Sequence, residues 1–185
     1  MTATQNILKI SELLDAWRSL GCTRLRNGTE LIGRIPMDEE ESWLHIVFPR
    51  LSSEAVRRLE RSLGEELPPD LRTLYRCMGG LSVFGGMFEV AGHLANAKRH
   101  TAAAWQPRCL ITLNHEIDAL QWKTRGVVAF ATNQWDMSVY TLGMGGNPGE
   151  VARRDRRTGQ VIETHPDVFD CLASRLYKLD QMSMQ

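Results

Sequence analysis

At 185 residues the chain is most simply one domain, long enough to bury roughly 70% of the surface that its unfolded form exposes. Its composition, 43% hydrophobic and 24% charged, is that of an ordinary folded protein in water. Lys+Arg and Asp+Glu each total 22, so there is no net charge, and no whole-molecule field draws the chain to nucleic acid or an anionic membrane. That balance argues against a strongly basic nucleic-acid binder and leaves only a local basic patch open. The four cysteines, Cys22, Cys77, Cys109 and Cys171, stand far apart with no C-x-x-C pair, so neither a zinc knuckle nor a thioredoxin-type motif is indicated. Reduced thiols in the cytoplasm are the expectation. MTATQNILKISELL has only Lys9 before a short apolar stretch, unlike a signal peptide, and no run approaches the roughly 20 apolar residues of a membrane span.

In chain order, Ser11 is expected to open an amphipathic helix, SELLDAWRSLG, with Ile10, Leu13, Leu14, Trp17 and Leu20 on its apolar side and Gly21 as its stop. TRLRNGTELIGRI predicts two strands around Asn27-Gly28, a strong hairpin signal. An acidic loop, Asp38-Glu39-Glu40-Glu41, precedes the β-rich run WLHIVF (43–48). In LSSEAVRRLERSLG, Val56, Leu59 and Leu63 share a helical face, Ser52 or Ser53 is placed to cap it, and Gly64 suits a left-handed end. Pro68-Pro69 cannot continue that helix but fits the first turn of the next, which carries Leu71, Leu74, Tyr75 and Met78 and ends at Gly79-Gly80.

The run L-x-x-x-L-G-x-x-LPPDLRxLYRxxGG resembles the paired-helix signature of the SMI1/KNR4 (SUKH) superfamily. The resemblance continues at GVVAFATNQWDMSVYTL, at VARRDRRTGQVIE and at DVFDCLASRLYKL, and so spans about 43–179. Cys77-Met78 precede the glycine pair where relatives often have a polar residue. It implies one α+β domain over 1–185, a family core at about 43–180 and a helix-and-hairpin extension over 1–42.

Further along, LSVFGGMFEVAG reads as a strand interrupted at Gly85-Gly86 by a bulge or bend. Residues 93–107 are ambiguous, with helix one choice, and RCLITLNHEI reads as another strand. GVVAFA and MSVYTL bracket a polar turn, Thr132 to Asp136, and predict a hairpin. GMGGNPGE reads as a loop, EVARRD and QVIET as a hairpin turning at Thr158-Gly159. His165-Pro166-Asp167 should open a last helix whose buried stripe is Phe169, Leu172, Leu176 and Leu179. Strands in the middle with helices early and late predict α+β: a largely antiparallel sheet with helices packed against it.

Chemistry is sparse. His115-Glu116 lacks the second histidine of H-E-x-x-H, because Ala119 stands at that place. His93 and His100, seven apart, have no clear third ligand. Gly143 to Gly149 lacks the Lys-Ser/Thr that a phosphate loop needs. No G-x-S-x-G elbow is present. No catalytic, cofactor or metal residue is therefore nominated. Arg153, Arg154, Arg156 and Arg157 form the best basic candidate, although strand alternation divides their side chains between two faces.

Resemblance to the superfamily implies a non-enzymatic, cytoplasmic protein-binding module, in bacteria commonly an immunity protein that neutralises a cognate toxin by direct contact. If that toxin is a basic nuclease, Asp38, Glu39, Glu40 and Glu41 with Trp43 are the expected contacts, since acidic charge speeds encounter and an aromatic anchors it. Trp135 and Asp136, in a polar turn, come second. The alternatives are a regulatory or scaffold protein of the same superfamily, or a small-ligand or nucleic-acid binder using the arginine hairpin.

Overall fold

The structure is a computed structural model that describes residues 3–35, 42–93, 105–120, 126–143 and 149–183. Among the described residues nine strands form one sheet in simple sequence order, and every neighbouring pair is antiparallel. They are β1 (Cys22–Arg24), β2 (Glu30–Ile35), β3 (Ser42–Val47), β4 (Leu81–Val83), β5 (Phe88–Val90), β6 (Val127–Asn133), β7 (Ser138–Gly143), β8 (Val151–Asp155) and β9 (Val161–His165). The helices are α1 (Ala3–Ala16), α2 (Ser53–Leu63), α3 (Pro69–Cys77), α4 (Leu110–Asp118) and α5 (Val168–Ser183). The expected α+β class with an antiparallel sheet is what this architecture is. Among the described residues no helix is long and apolar enough to cross a membrane.

Much of the local reading holds. Ser52 caps α2 by accepting from the Ala55 N–H at 3.1 Å, and Gly64 ends that helix at φ +76°. Pro69 occupies the first turn of α3. The hairpin around Asn27-Gly28 forms, and Asn27 Oδ1 accepts from the Thr29 N–H. Phe169, Leu172, Leu176 and Leu179 are buried as expected, and Asp167 caps α5 by accepting from the Asp170 N–H at 2.7 Å.

Four expectations are corrected. Ser11 lies inside α1, which starts eight residues earlier; the apolar stripe already begins at Ile7, and the helix passes into a 3-10 turn at Trp17–Leu20 before Gly21. LSVFGGMFEVAG is not one interrupted strand: the chain reverses through Phe84 to Met87, making β4 and β5 a hairpin. The pair Gly79-Gly80 does not itself end α3, which stops at Cys77 with Met78 already extended. Its role is close approach, since a Cβ on Gly79 would collide with the Pro49 carbonyl, and the Gly79 N–H donates to Phe48 O at 3.0 Å.

The fourth correction is the largest. RCLITLNHEI is not a strand; it forms α4, with Leu110, Leu113, Asn114 and Ile117 buried at i, i+3, i+4 and i+7. The Leu110 N–H donates to Gly92 O, which fixes where the helix begins. Beyond the end of β5, the buried Asn114 amide takes the place of a strand against β6. Its Oδ1 accepts from the Ala129 N–H at 2.9 Å and its Nδ2 donates to Ala129 O at 2.8 Å. Both backbone groups of Ala129 are thereby satisfied where the ladder has run out. The expected loop at GMGGNPGE, apart from its ends, and most of 93–107 lie outside the described residues.

One face of the sheet is set by register: Val90, Ala131, Tyr140, Arg153 and Glu163 stand side by side across β5 to β9. The helix α5 lies over this face, with Lys178 Nζ on Glu163 at 2.9 Å. In turn α1 packs on α5, where Trp17 Nε1 donates to Asp180 Oδ1 at 3.0 Å.

Candidate functional site

In an antiparallel meander, alternate connections leave from the same end of the sheet. The pairs Ile35–Ser42, Val83–Phe88, Asn133–Ser138 and Arg154–Val161 mark that end, which therefore carries the β4–β5, β6–β7 and β8–β9 turns. It is also where the chain leaves β2 and re-enters at β3. Residues 36–41 themselves, Asp38, Glu39, Glu40 and Glu41 among them, lie outside the described residues. The strand ends Ile35 and Ser42 and the Trp135 turn, distant in sequence, thus lie at one end of one sheet.

The β6–β7 turn, Gln134 to Met137, presents the most exposed aromatic described. Trp135 is 71% exposed and Met137 53%. Two side chains hold the backbone beneath them: Asn133 Oδ1 accepts from the Trp135 N–H and Asp136 Oδ1 from the Ser138 N–H, both at 3.0 Å. Met137 sits at φ +56°, a left-handed conformation that costs a side-chain-bearing residue about 1 kcal/mol or more. The neighbouring β4–β5 turn has a second such residue, Phe84 at φ +51°, and exposes Met87. The Gln134 N–H donates to Met87 O at 2.8 Å, joining the turns. The turns that expose Met87, Trp135 and Met137 are therefore fastened to each other through the backbone.

Asp136 faces the other way, toward the protein. It receives an Arg153 guanidinium nitrogen, and Arg175 of α5 reaches it at 3.7 Å. Burial opposes its ionisation, but the Ser138 hydroxyl and N–H with Arg153 outweigh that and hold its carboxyl below the usual range. Of the two residues expected in this turn, Trp135 is exposed to solvent and Asp136 is turned inward onto Arg153 and Arg175. Trp43 is half-buried in β3 opposite Arg34, and its ring covers Gly21. Three strand spacings, about 15 Å, separate β3 from β6, so the structure does not bring the two tryptophans together. Met87 and Met137 were missed from sequence. The available signal was an unbranched apolar residue inside a tight turn, where no core lies within reach.

The arginine hairpin is divided. Arg153 binds Ser138, Asp136 and Glu163 on one face, while Arg154 donates to Thr141 Oγ1 and Gly159 O on the other. Arg156 reaches Glu116 at 3.0 Å, in company with Arg108. A depression of about 270 Å³ beside Arg154 and Thr141 is smaller than usual ligand pockets. His115 is exposed, His93 is half-buried, and His100 lies outside the described residues. Among the described residues no three His, Cys, Asp or Glu side chains gather to hold a metal ion.

A scan against protein-family models finds no match, and a search of curated proteins finds none either.

Proposed function

We propose that this chain is a non-enzymatic protein-binding module of the SMI1/KNR4 (SUKH) type, a cytoplasmic immunity protein that neutralises a cognate toxin by direct contact through the turn-bearing end of its sheet. The observation that carries the reading is the exposure of Met87, Trp135 and Met137: large apolar side chains held in water on two hydrogen-bonded turns, each of which holds a non-glycine residue in the left-handed region. Such rigid anchors suit the centre of a protein interface, where tryptophan is over-represented among the residues that dominate affinity. The helix-pair motif and the α+β class support the superfamily resemblance. The engagement of Arg153, Arg154 and Arg156 within the fold weighs against the arginine hairpin as a nucleic-acid grip. The same end would serve a regulatory or scaffold protein equally well, so identifying the partner decides between them.

The test is capture from lysate of the source organism with the tagged chain, read for a bound protein that carries a toxin-like domain. Trp135→Ala should weaken binding by about tenfold or more with an unchanged unfolding midpoint. Charge reversal across Asp38–Glu41 should slow association and reduce its salt dependence. If the toxin binds the Trp135→Ala and Met137→Ala variants as tightly as the original chain, this end of the sheet is not the interface. If it does not bind at all, the immunity reading fails.

A further inference from the structure

The helices α1 and α5 lie side by side, and the bond from Trp17 to Asp180 joins their ends. Ile10 and Leu14 of α1, like Leu172 and Leu176 of α5, are turned into the core. The neighbouring stripes of the two helices line a cavity of about 560 Å³ that opens to solvent. Glu12, Leu13 and Ala16 line it from α1, and Asp170, Ala173 and Tyr177 from α5, each set on one face of its helix. Ala16 and Ala173 are too short to fill the space between the helices. Its volume falls within the roughly 300–1,000 Å³ of small-molecule sites.

The lining joins apolar side chains to an excess of carboxylate, Glu12 and Asp170 against the single ammonium of Lys9. Lys9 is already engaged within the chain, whereas the Glu12 carboxylate has no hydrogen bond or ion pair among the described residues. The Asp170 carboxylate meets the His165 ring at 3.5 Å. Tyr177 holds its ring on the same cavity, 58% exposed. A bare metal ion does not suit such a lining, since no three His, Cys, Asp or Glu side chains among the described residues gather to hold one. Nor does a partner helix, because the stripe from Lys9 to Ala16 is only about 10 Å long.

We propose that the cavity between α1 and α5 binds an organic ammonium ion with an apolar body. Glu12 and Asp170 accept from the ammonium, in hydrogen bonds that its charge strengthens. Leu13, Ala16 and Ala173 cover the body, and the Tyr177 ring attracts the cation through its face. The site lies on the two helices, and the inference does not depend on what the Trp135 turn binds.

The probe is naphthylmethylammonium, with naphthylacetate as the same body carrying the opposite charge. Each is titrated into the isotope-labelled full chain while the amide resonances are followed. A saturable shift centred on residues 9–16 and 170–177 is expected with the ammonium, and a much weaker one with the acetate. Glu12→Gln, a change at an exposed position, should weaken the ammonium severalfold, and Ala173→Leu, which fills the cavity, should abolish its shift. Equal binding of the two charges, a shift centred elsewhere, no saturable shift, or undiminished affinity in either variant overturns the proposal. Should Ala173→Leu fail to fold, Glu12→Gln and the pair of opposite charges decide the matter.

Discussion

His45 is the residue whose burial has the clearest consequence. Its ring lies between Trp17 and Phe84, with centroids 5.8 and 4.7 Å away, and its Nδ1 accepts from the Phe84 N–H at 3.4 Å. Burial pushes its pKa down to about 4 from an ordinary 6.5. Between those values the unfolded chain holds the proton and the folded chain does not, so stability is full above 6.5 and falls as the pH drops toward 4. The loss should approach about 3 kcal/mol. Urea unfolding from about pH 7 to about pH 4 checks it, and His45→Leu should flatten that slope; an equal slope in the variant would place the effect elsewhere. Asn114 is the second such residue. Asn114→Ala should cost about 2–4 kcal/mol in the same assay, because it strands the Ala129 N–H and C=O in the interior. A loss below 1 kcal/mol would mean that water replaces the amide.

At the scale of elements, the glycines that follow the two helices of the pair, Gly64 after α2 and Gly79 after α3, make a useful contrast. Gly64 stands at φ +76° with open space around it, so Gly64→Ala should cost only about 1 kcal/mol, the price of a left-handed backbone. Gly79→Ala forces backbone against backbone at Pro49 and should prevent folding or lower the unfolding midpoint far more. Circular dichroism through a urea series separates the two outcomes. Caps, prolines and stripes in this segment were legible because each acts within a few residues. The segment 110–118 was not, because Ile111 and Thr112 carry β propensity while the deciding contacts are non-local. Its Leu110–Leu113–Ile117 spacing was a visible helical signal, and the polar Asn114 within it finds its partners only once β6 is alongside. The β4–β5 hairpin was misread for a related reason: a turn holding Phe84 in a left-handed conformation departs from local preference, and the His45 ring and Leu44 O that support it come from β3.

Over the whole molecule, the N-terminal segment is built into the rest through the sheet and through Trp17. β2 pairs with β3, extending the sheet, and Trp17 bonds Asp180 near the end of α5. Trp17→Phe keeps the aromatic contacts with His45 and Phe84 and removes that bond, and should cost about 1–2 kcal/mol. Hydrogen exchange should then show faster exchange in α1 and in the last turns of α5 together; a change confined to α1 would show that the bond does not couple them.

By itself, the sequence determined the class, most strands, the capped helix pair, the Trp135 turn and the lack of any recognised catalytic or metal motif. Those properties follow from spacing and backbone chemistry within about a dozen residues. Tertiary structure decided which turns share an end of the sheet, that the Trp135 turn is bonded to the Met87 carbonyl, and that Asp136 faces inward. Those facts depend on register and strand order, which bring residues up to about fifty positions apart into contact, and no local signal in the chain encodes such distances.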